Sequence, residues 1–454
     1  MPAALADLDS EFAARFQTAR LAARPVASGA ISKVIGLRFD VEGLDLPIGA
    51  TVRLAEPGLE LSGEVVAVGE GTVTCMPYGE VKGLRVGARV DGSDRPSSIF
   101  VGQQLLGRVI DALGRPLDDG PPLVGLQEVE LDGEPPHPLR RARIEHKMSL
   151  GIRAWDTLIP AGRGQRVGIF AGSGVGKSTL LGMIARNTAA DVNVVALIGE
   201  RGREVREFVE SDLGPEGLAR SVLVVATSDA PALVRFRAAF VATRIAEWFR
   251  DQGNDVMLMM DSLTRFCMAQ REIGLSAGEP PTSRGYPPSV FSLLPRLLER
   301  AGAAEYGSIT GLYTVLVDGD DHNEPISDAA RSILDGHVVL SRKLAHANHY
   351  PAIDVLASVS RVTGAVTSNE ERNLLYELRR LMAAEAEAKD LIEIGAYVPG
   401  TNPTVDRAVG MRDSIRSFLT QRVDDRWDAQ RSFTRLAEML DTTAPVAGGN
   451  GGRP

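Results

Sequence analysis

One stretch constrains this chain more than any other. Residues 165–179 read Gln-Arg-Val-Gly-Ile-Phe-Ala-Gly-Ser-Gly-Val-Gly-Lys-Ser-Thr. A β-branched and apolar run, 167–170, enters a glycine-rich loop that closes on Gly-Lys-Ser. An apolar helical pattern follows at Leu180, Leu181, Met183 and Ile184. Strand, loop and helix in that order predict a phosphate-binding turn. Gly172, Ser173, Gly174, Val175 and Gly176 turn successive backbone N–H groups inward on a phosphate, and the following helix adds its N-terminal dipole. Lys177 can reach the outer phosphates, the Ser178 hydroxyl can ligate Mg²⁺, and Thr179 is grouped with them as a nucleotide contact. The usual glycine at the first loop position is Ala171 here, which is small enough for the same turn.

The rest of the chain is organised around that motif. With 454 residues it is too long for one ordinary domain. Residues 1–24 place Leu5, Leu8, Phe12 and Phe16 at helical spacing, which predicts an amphipathic helix. It either packs on its own body or docks a partner. Residues 25–95 carry short alternating apolar runs separated by Gly, Pro and Asp, the pattern of a small antiparallel β-barrel. Residues 96–150 read as a Pro- and Gly-rich connector. Apolar strands then alternate with helical segments to about residue 370, expected at 166–171, 192–198, 221–227, 256–261, 308–317 and 353–359. That predicts an α/β domain with a mostly parallel sheet. Helical patterns at 373–382, 411–422 and 427–440 predict a C-terminal helical domain over 371–441. The Gly/Pro-rich residues 442–454 read as a disordered tail.

Ligands of parallel sheets sit at the carboxyl ends of the strands, so the strand ends carry the chemistry. One strand runs into Gly199-Glu200-Arg201-Gly202-Arg203-Glu204, where Glu200 can polarise a water for attack on a terminal phosphate. Another, Val-Met-Leu-Met-Met, ends in Asp261, the pattern of an Mg²⁺-organising acid. Arg265 follows closely and either contacts a phosphate or Glu200 or forms a plain salt bridge. Ser358-Val359-Ser360-Arg361 ends the last strand, and Arg361 is a candidate arginine finger, in cis or in trans. Tyr350 offers an aromatic face either for a base or for core packing. Together these predict binding of ATP with Mg²⁺ and its hydrolysis.

Four pieces in this order resemble the hexameric ring ATPases that include the rotary ATP synthase catalytic subunits. They are Ala-Gly-Ser-Gly-Val-Gly-Lys-Ser (171–178), Gly-Glu-Arg-Gly-Arg-Glu (199–204), Asp-Ser-Leu-Thr-Arg-Phe (261–266) and Tyr-Pro-Ala-Ile-Asp-Val-Leu-Ala-Ser-Val-Ser-Arg (350–361). The resemblance implies an N-terminal β-barrel, a RecA-like P-loop nucleotide domain over 96–370 with its connector, and a C-terminal helical domain. Within that superfamily three further stretches look like the protein-export ATPases of flagellar and type III secretion systems. These are Pro-Pro-Thr-Ser-Arg-Gly-Tyr-Pro-Pro-Ser-Val-Phe (280–291), Asp-Gly-Asp-Asp-His-Asn-Glu-Pro (318–325) and Lys-Asp-Leu-Ile-Glu-Ile-Gly-Ala-Tyr-Val-Pro-Gly (389–400). The synthase subunits' acidic loop is replaced by a milder mixture at 382–390.

The resemblance implies that Glu200 is the catalytic carboxylate and that Lys177 binds phosphate; Arg201 and Arg265 stand beside them as candidate catalytic residues. Ser178 and Asp261 would serve Mg²⁺, Tyr350 would lie near the adenine, and Arg361 would reach a neighbouring subunit's site. It also implies a homohexamer that energises export of unfolded flagellar proteins, with injectisome use as the alternative. Its implied partners are a regulatory coiled-coil stator-like protein at residues 1–24, a central stalk-like protein, export chaperones and substrates, and an export gate at the membrane. The expected place is the cytoplasm, peripheral to the inner membrane export apparatus.

Three other classes fit less well. A non-catalytic ring subunit would lack Glu200. An RNA-translocating ring motor would need aromatics and basic residues in the N-terminal domain. Residues 26–95 hold only Phe39 and Tyr78 as aromatics, and the net charge is −9, so no nucleic acid partner is expected. A proton-driven synthase subunit would need a stoichiometric partner chain. No apolar run approaches the roughly 18 residues of a membrane span, and no secretory signal is apparent. Cys75 and Cys267 lack metal-ligand spacing and read as reduced thiols.

Overall fold

The computed structural model describes residues 27–56, 59–93, 95–317 and 324–441. The expected helix at 1–24, the tail at 442–454 and residues 318–323 lie outside the described residues. The chain forms two compact units, 1–97 and 98–454.

The first unit is a closed six-stranded antiparallel barrel. Its strands are β1 (Ala27–Ile35), β2 (Arg38–Glu42), β3 (Thr51–Glu56), β4 (Leu59–Gly69), β5 (Thr72–Pro77) and β6 (Arg89–Ser93). They run in the order β1-β2-β5-β4-β3-β6, and β6 closes back on β1. The two-residue alternation in the sequence sends Ile31, Phe39, Val41, Val52, Leu54, Val73, Cys75 and Val90 inward to one core. Closure leaves no strand edge to pair with another chain. Burial pushes the Cys75 thiol up to about 12, so it stays protonated and inert at neutral pH.

The second unit is built on a nine-stranded sheet. Two small ribbons precede or flank it, β7 (Ser98–Val101) with β9 (Gln127–Glu130), and β10 (Lys147–Met148) with β11 (Ala161–Gly162). The sheet strands are β8 (Val109–Asp111), β12 (Arg166–Ala171), β13 (Val192–Glu200), β14 (Ser221–Thr227), β15 (Asp255–Asp261), β16 (Gly302–Ala303), β17 (Ser308–Leu316), β18 (Gly336–Leu340) and β19 (Ile353–Ser360). Their order is β19-β18-β12-β17-β15-β13-β14-β8, with β16 beside β17. All run parallel except β16 and β19. Parallel strands are covered on both faces and read as continuous apolar runs. In β15, Val256, Met257, Leu258, Met259 and Met260 are all fully buried.

Three features depart from the sequence reading. The connector contributes β8 to the sheet edge, where Arg108 is anchored by Asp118 at 2.6 Å. β18 was not expected; five residues bounded by helices carry too few positions to show a period. β19 runs against its neighbours, a direction that composition cannot encode.

Four longer helices close the chain: Asn369–Glu393, Pro403–Gly410, Arg412–Leu419 and Ala429–Asp441. The first begins four residues before the expected start, because Ser368 and Glu371 form a capping box. Leu375, Leu378, Leu381, Ile415, Phe418, Phe433 and Leu436 join the core of the nucleotide-side strands. A single apolar core thus links these helices to the sheet. Among the described residues no helix is long and apolar enough to cross a membrane.

Candidate active site

The glycine-rich turn leaves β12 and enters the helix Lys177–Asn187. Gly176, at φ 84°, is the residue before that helix, a backbone state that side chains disfavour. No side chain caps the helix start, so its first N–H groups face the cleft and are available to an anion. Ala171 is buried at the end of β12, and its methyl group fits the position a glycine usually holds. Val175 also points into the core, which leaves it only a backbone N–H to offer. Ser173 and Ser178 are exposed, whereas Gly176, Lys177 and Thr179 are half-buried.

Two acids meet this turn from neighbouring strand ends. β13 and β15 are adjacent and parallel, so Glu200 and Asp261 come out on the same sheet edge. Gly199, at φ 72°, makes a bulge between Ile198 and Glu200 against β14. A bulge re-aims the side chain that follows it. The Lys177 ammonium bonds Asp261 Oδ1 and lies 3.4 Å from Glu200 Oε1. Thr314 Oγ1 donates to Asp261 Oδ1 at 2.7 Å, which fixes this almost fully buried carboxylate.

The electrostatics follow from that crowding. Burial and the neighbouring Asp261 charge push the Glu200 carboxyl up to about 7; Lys177 pulls the other way. Burial alone would lower Lys177, but Asp261 and Glu200 outweigh it and hold the ammonium above its usual value. The lysine is therefore a permanent cation at the mouth of the loop, and Glu200 is a base poised near neutrality.

The remaining expected residues divide into three groups. Arg265 lies across Gly199 and lines the cleft, with its Nε buried and without a hydrogen-bond partner. It makes no ion pair among the described residues. Arg201 also lines the cleft but is exposed, with Nη1 3.5 Å from Glu204 Oε1. Tyr350 is 42% exposed, and its ring lies against Gly176; a methyl group added there would meet it at 3.3 Å.

Arg361 stands apart. Because β19 is antiparallel, its end is level with the start of β12, where Arg361 donates to the Asp335 carbonyl and Asp335 to that of Arg166. Six strand residues separate Arg166 from Gly172, roughly 20 Å, too far for an arginine side chain of the same chain.

Sequence reasoning missed Asp212. It sits on a π-helical turn, Phe208–Leu213, that packs against the P-loop helix where Gly182 has no side chain. It accepts a hydrogen bond from Thr179 and lines the cleft; burial raises its carboxyl. π-helical turns recur at functional sites, but nothing in the local sequence signals this one. The whole cleft measures about 550 Å³ and also holds Glu204, Glu207 and Ser228.

Comparison with known proteins places this site in a family. The nucleotide-binding domain of the ATP synthase alpha/beta family matches residues 151–360, and that family's β-barrel domain matches 31–93. The T3SS EscN ATPase C-terminal domain matches 367–438. The chain is 50% identical to the flagellum-specific ATP synthase of Bacillus subtilis over 414 residues, 90% of this chain and 94% of that one. The chain belongs to the flagellar and type III secretion ATPases. It is also 49% identical to a type 3 secretion system ATPase of Xanthomonas euvesicatoria, covering 91% and 94% of the two chains. The structure of assembled EscN from enteropathogenic E. coli, in complex with its central stalk EscO, superposes with a TM-score of 0.85 at 46% identity. It covers 91% of this chain and all of that one. Members of this family are P-loop ATPases, and this chain is one.

Magnesium, which the family's nucleotide chemistry implies, fits the residues present. Ser178 and Asp261 offer hard oxygen donors, and no cluster of three or more metal-ligating side chains exists among the described residues. That is the donor set of a cation held mainly by phosphates and water, not by a protein cage.

Proposed function

We propose that this chain hydrolyses Mg-ATP as a homohexameric ring and thereby energises export of unfolded flagellar proteins through a type III secretion apparatus. One observation carries the ring: Lys177, Glu200 and Asp261 converge on one sheet edge while Arg361 stands on the other. A finger roughly 20 Å from its own P-loop can serve only a neighbour's. Injectisome use is the second reading, favoured by the matching EscN-type C-terminal domain and the close similarity to the Xanthomonas protein.

In this reading each side chain has one task. The loop N–H groups and Lys177 hold the phosphates, with Lys177 exchanging carboxylate contacts for phosphate ones. Thr179 and the arginines Arg201 and Arg265 face the same anion. Ser178 and Asp261 would hold Mg²⁺, which would supply positive charge to the phosphate oxygens. Glu200 orients the attacking water and accepts its proton. The water oxygen bonds to the terminal phosphorus as the bond to the ADP oxygen breaks. A neighbour's Arg361 stabilises the charge spread over the transferring group. Tyr350 gives the adenine a face to stack on.

The likeness to the family supports a set of partners. A central stalk-like protein engages the ring, as EscO engages EscN. A regulatory coiled-coil protein docks residues 1–24, and chaperone-bound substrates are handed to a membrane export gate. The ring works in the cytoplasm beside the inner membrane apparatus. The test is concentration dependence: specific Mg-ATPase activity should rise with protein concentration as rings form. Activity per chain that stays constant, while sedimentation shows monomers assembling into hexamers, would contradict it.

A further inference from the structure

Beside Tyr350, two helices cap each other across the sequence. The helix Arg153–Leu158 has no N-terminal cap from its own turn. Gln421 supplies the acceptor, its Oε1 taking the Arg153 N–H at 2.9 Å. In return the Arg153 guanidinium covers the end of the helix Arg412–Leu419. It donates to the Phe418 carbonyl at 2.6 Å, to Ser417 at 3.0 Å, and to Thr420. Helices begin with orphan N–H groups and end with orphan carbonyls; here Gln421, two residues past one helix, takes the first N–H of the other, and Arg153 covers the last carbonyls in return.

Gln421 does more than cap. Its Nε2 donates to the Gly151 carbonyl at 2.9 Å and to that of Asp425 at 3.2 Å. Its own N–H donates to the Tyr350 carbonyl at 2.9 Å. Gln421 and Arg153 are only 6% and 8% exposed, so these bonds are made away from water. A buried amide with both its ends engaged holds one geometry, because any rotation leaves polar groups unpaired. Tyr350, by contrast, is half-open. Between its ring and the C-terminal helices lies a cavity of about 810 Å³, bordered by Arg153, Tyr350, Phe418, Gln421 and Trp427. The cavity therefore has one wall on the nucleotide side and one on the helical side, and Gln421 is the residue bonded to both.

We propose that Gln421 is a positioning residue for the nucleotide base. Its side chain, pinned between the Arg153 N–H and the Gly151 carbonyl, fixes the Gln421 main chain whose N–H bonds the Tyr350 carbonyl, and so sets the Tyr350 ring at the cavity edge. The inference rests on the reading of Tyr350 as the adenine platform.

The test compares two Mg²⁺-dependent ligands of the full chain by calorimetry. ADP meets both the P-loop and the base platform, whereas inorganic pyrophosphate meets only the P-loop. The unmutated chain should bind ADP more tightly than pyrophosphate. Gln421→Ala should weaken ADP about tenfold or more and leave pyrophosphate unchanged. In a Tyr350→Ala background the same change should add no further loss, since the effect runs through Tyr350. Equal weakening of both ligands, or a full additional loss without Tyr350, overturns the proposal. If Gln421→Ala does not fold, Gln421→Met keeps the volume and carries the same comparison. An unmutated chain with no preference for ADP overturns the base platform itself. That failure is told apart because it needs no Gln421 variant.

Discussion

Glu200→Gln separates base catalysis from binding more cleanly than any other change. The carboxyl lies at the end of β13, pushed up to about 7 by burial and by Asp261. A general base must be deprotonated to accept the water's proton, so activity should rise with pH and level off above that value. One pH unit below it, about a tenth of the sites carry the carboxylate, and kcat/KM should sit about tenfold under its plateau. kcat/KM is the right quantity because it reports groups of the free enzyme. Glutamine keeps the size and the contact with Lys177 but takes no proton, so turnover should fall about 10²- to 10⁴-fold. Nucleotide affinity should hold or tighten, because the change removes a negative charge beside the phosphates. Steady-state phosphate release between about pH 5.5 and pH 8.5, with calorimetric ADP binding on both proteins, measures all three. Loss of binding together with turnover would mean that Glu200 holds the nucleotide or the fold. A flat profile across neutrality in the unmutated enzyme would refute the assignment as base.

Three further outcomes are expected. Lys177→Ala removes the ammonium shared by Asp261 and Glu200 and should weaken Mg-ADP binding by about 10- to 100-fold, read by calorimetry; unchanged affinity would exclude direct phosphate contact. Arg300→Met takes two 2.7 Å bonds from the buried Glu247 carboxylate and leaves it only the 3.2 Å bond from Arg244, which should cost about 1.5–3 kcal/mol in chemical denaturation, with an unshifted midpoint counting against it. Deleting residues 1–24 should leave basal ATPase activity intact and abolish capture by a coiled-coil regulatory partner, whereas a truncated protein that aggregates would show that the segment packs on its own body.

The nucleotide loop and the two acids were legible because local chemistry and strand ends coincide. A glycine-rich turn between a strand and a helix has few other uses, and parallel neighbours bring their last residues to one edge. The barrel was legible from alternation at Val52, Leu54, Val73 and Cys75. What sequence could not convey was direction and distance. β19 looks like any other apolar strand, yet its reversal moves Arg361 to the far side of the sheet. Asp212 reaches Thr179 only because a π-helical turn brings it over Gly182. Gln421 and Arg153 pair across 268 positions, and neither sits in a recognisable motif. Such contacts are products of packing, and no local pattern announces them.

The central claim is that a catalytic site is completed by a second copy of the chain. Mixing two inactive variants, Glu200→Gln and Arg361→Ala, tests it most directly. Each variant alone should be nearly inactive, the second by about 10³-fold or more with binding retained. In randomly mixed rings, about a quarter of the interfaces join an intact Glu200 to a neighbour's intact Arg361, so activity should return to about that fraction of the unmutated level. Mixed rings that form, as shown by co-purification of differently tagged chains, and still fail to hydrolyse ATP would contradict the account.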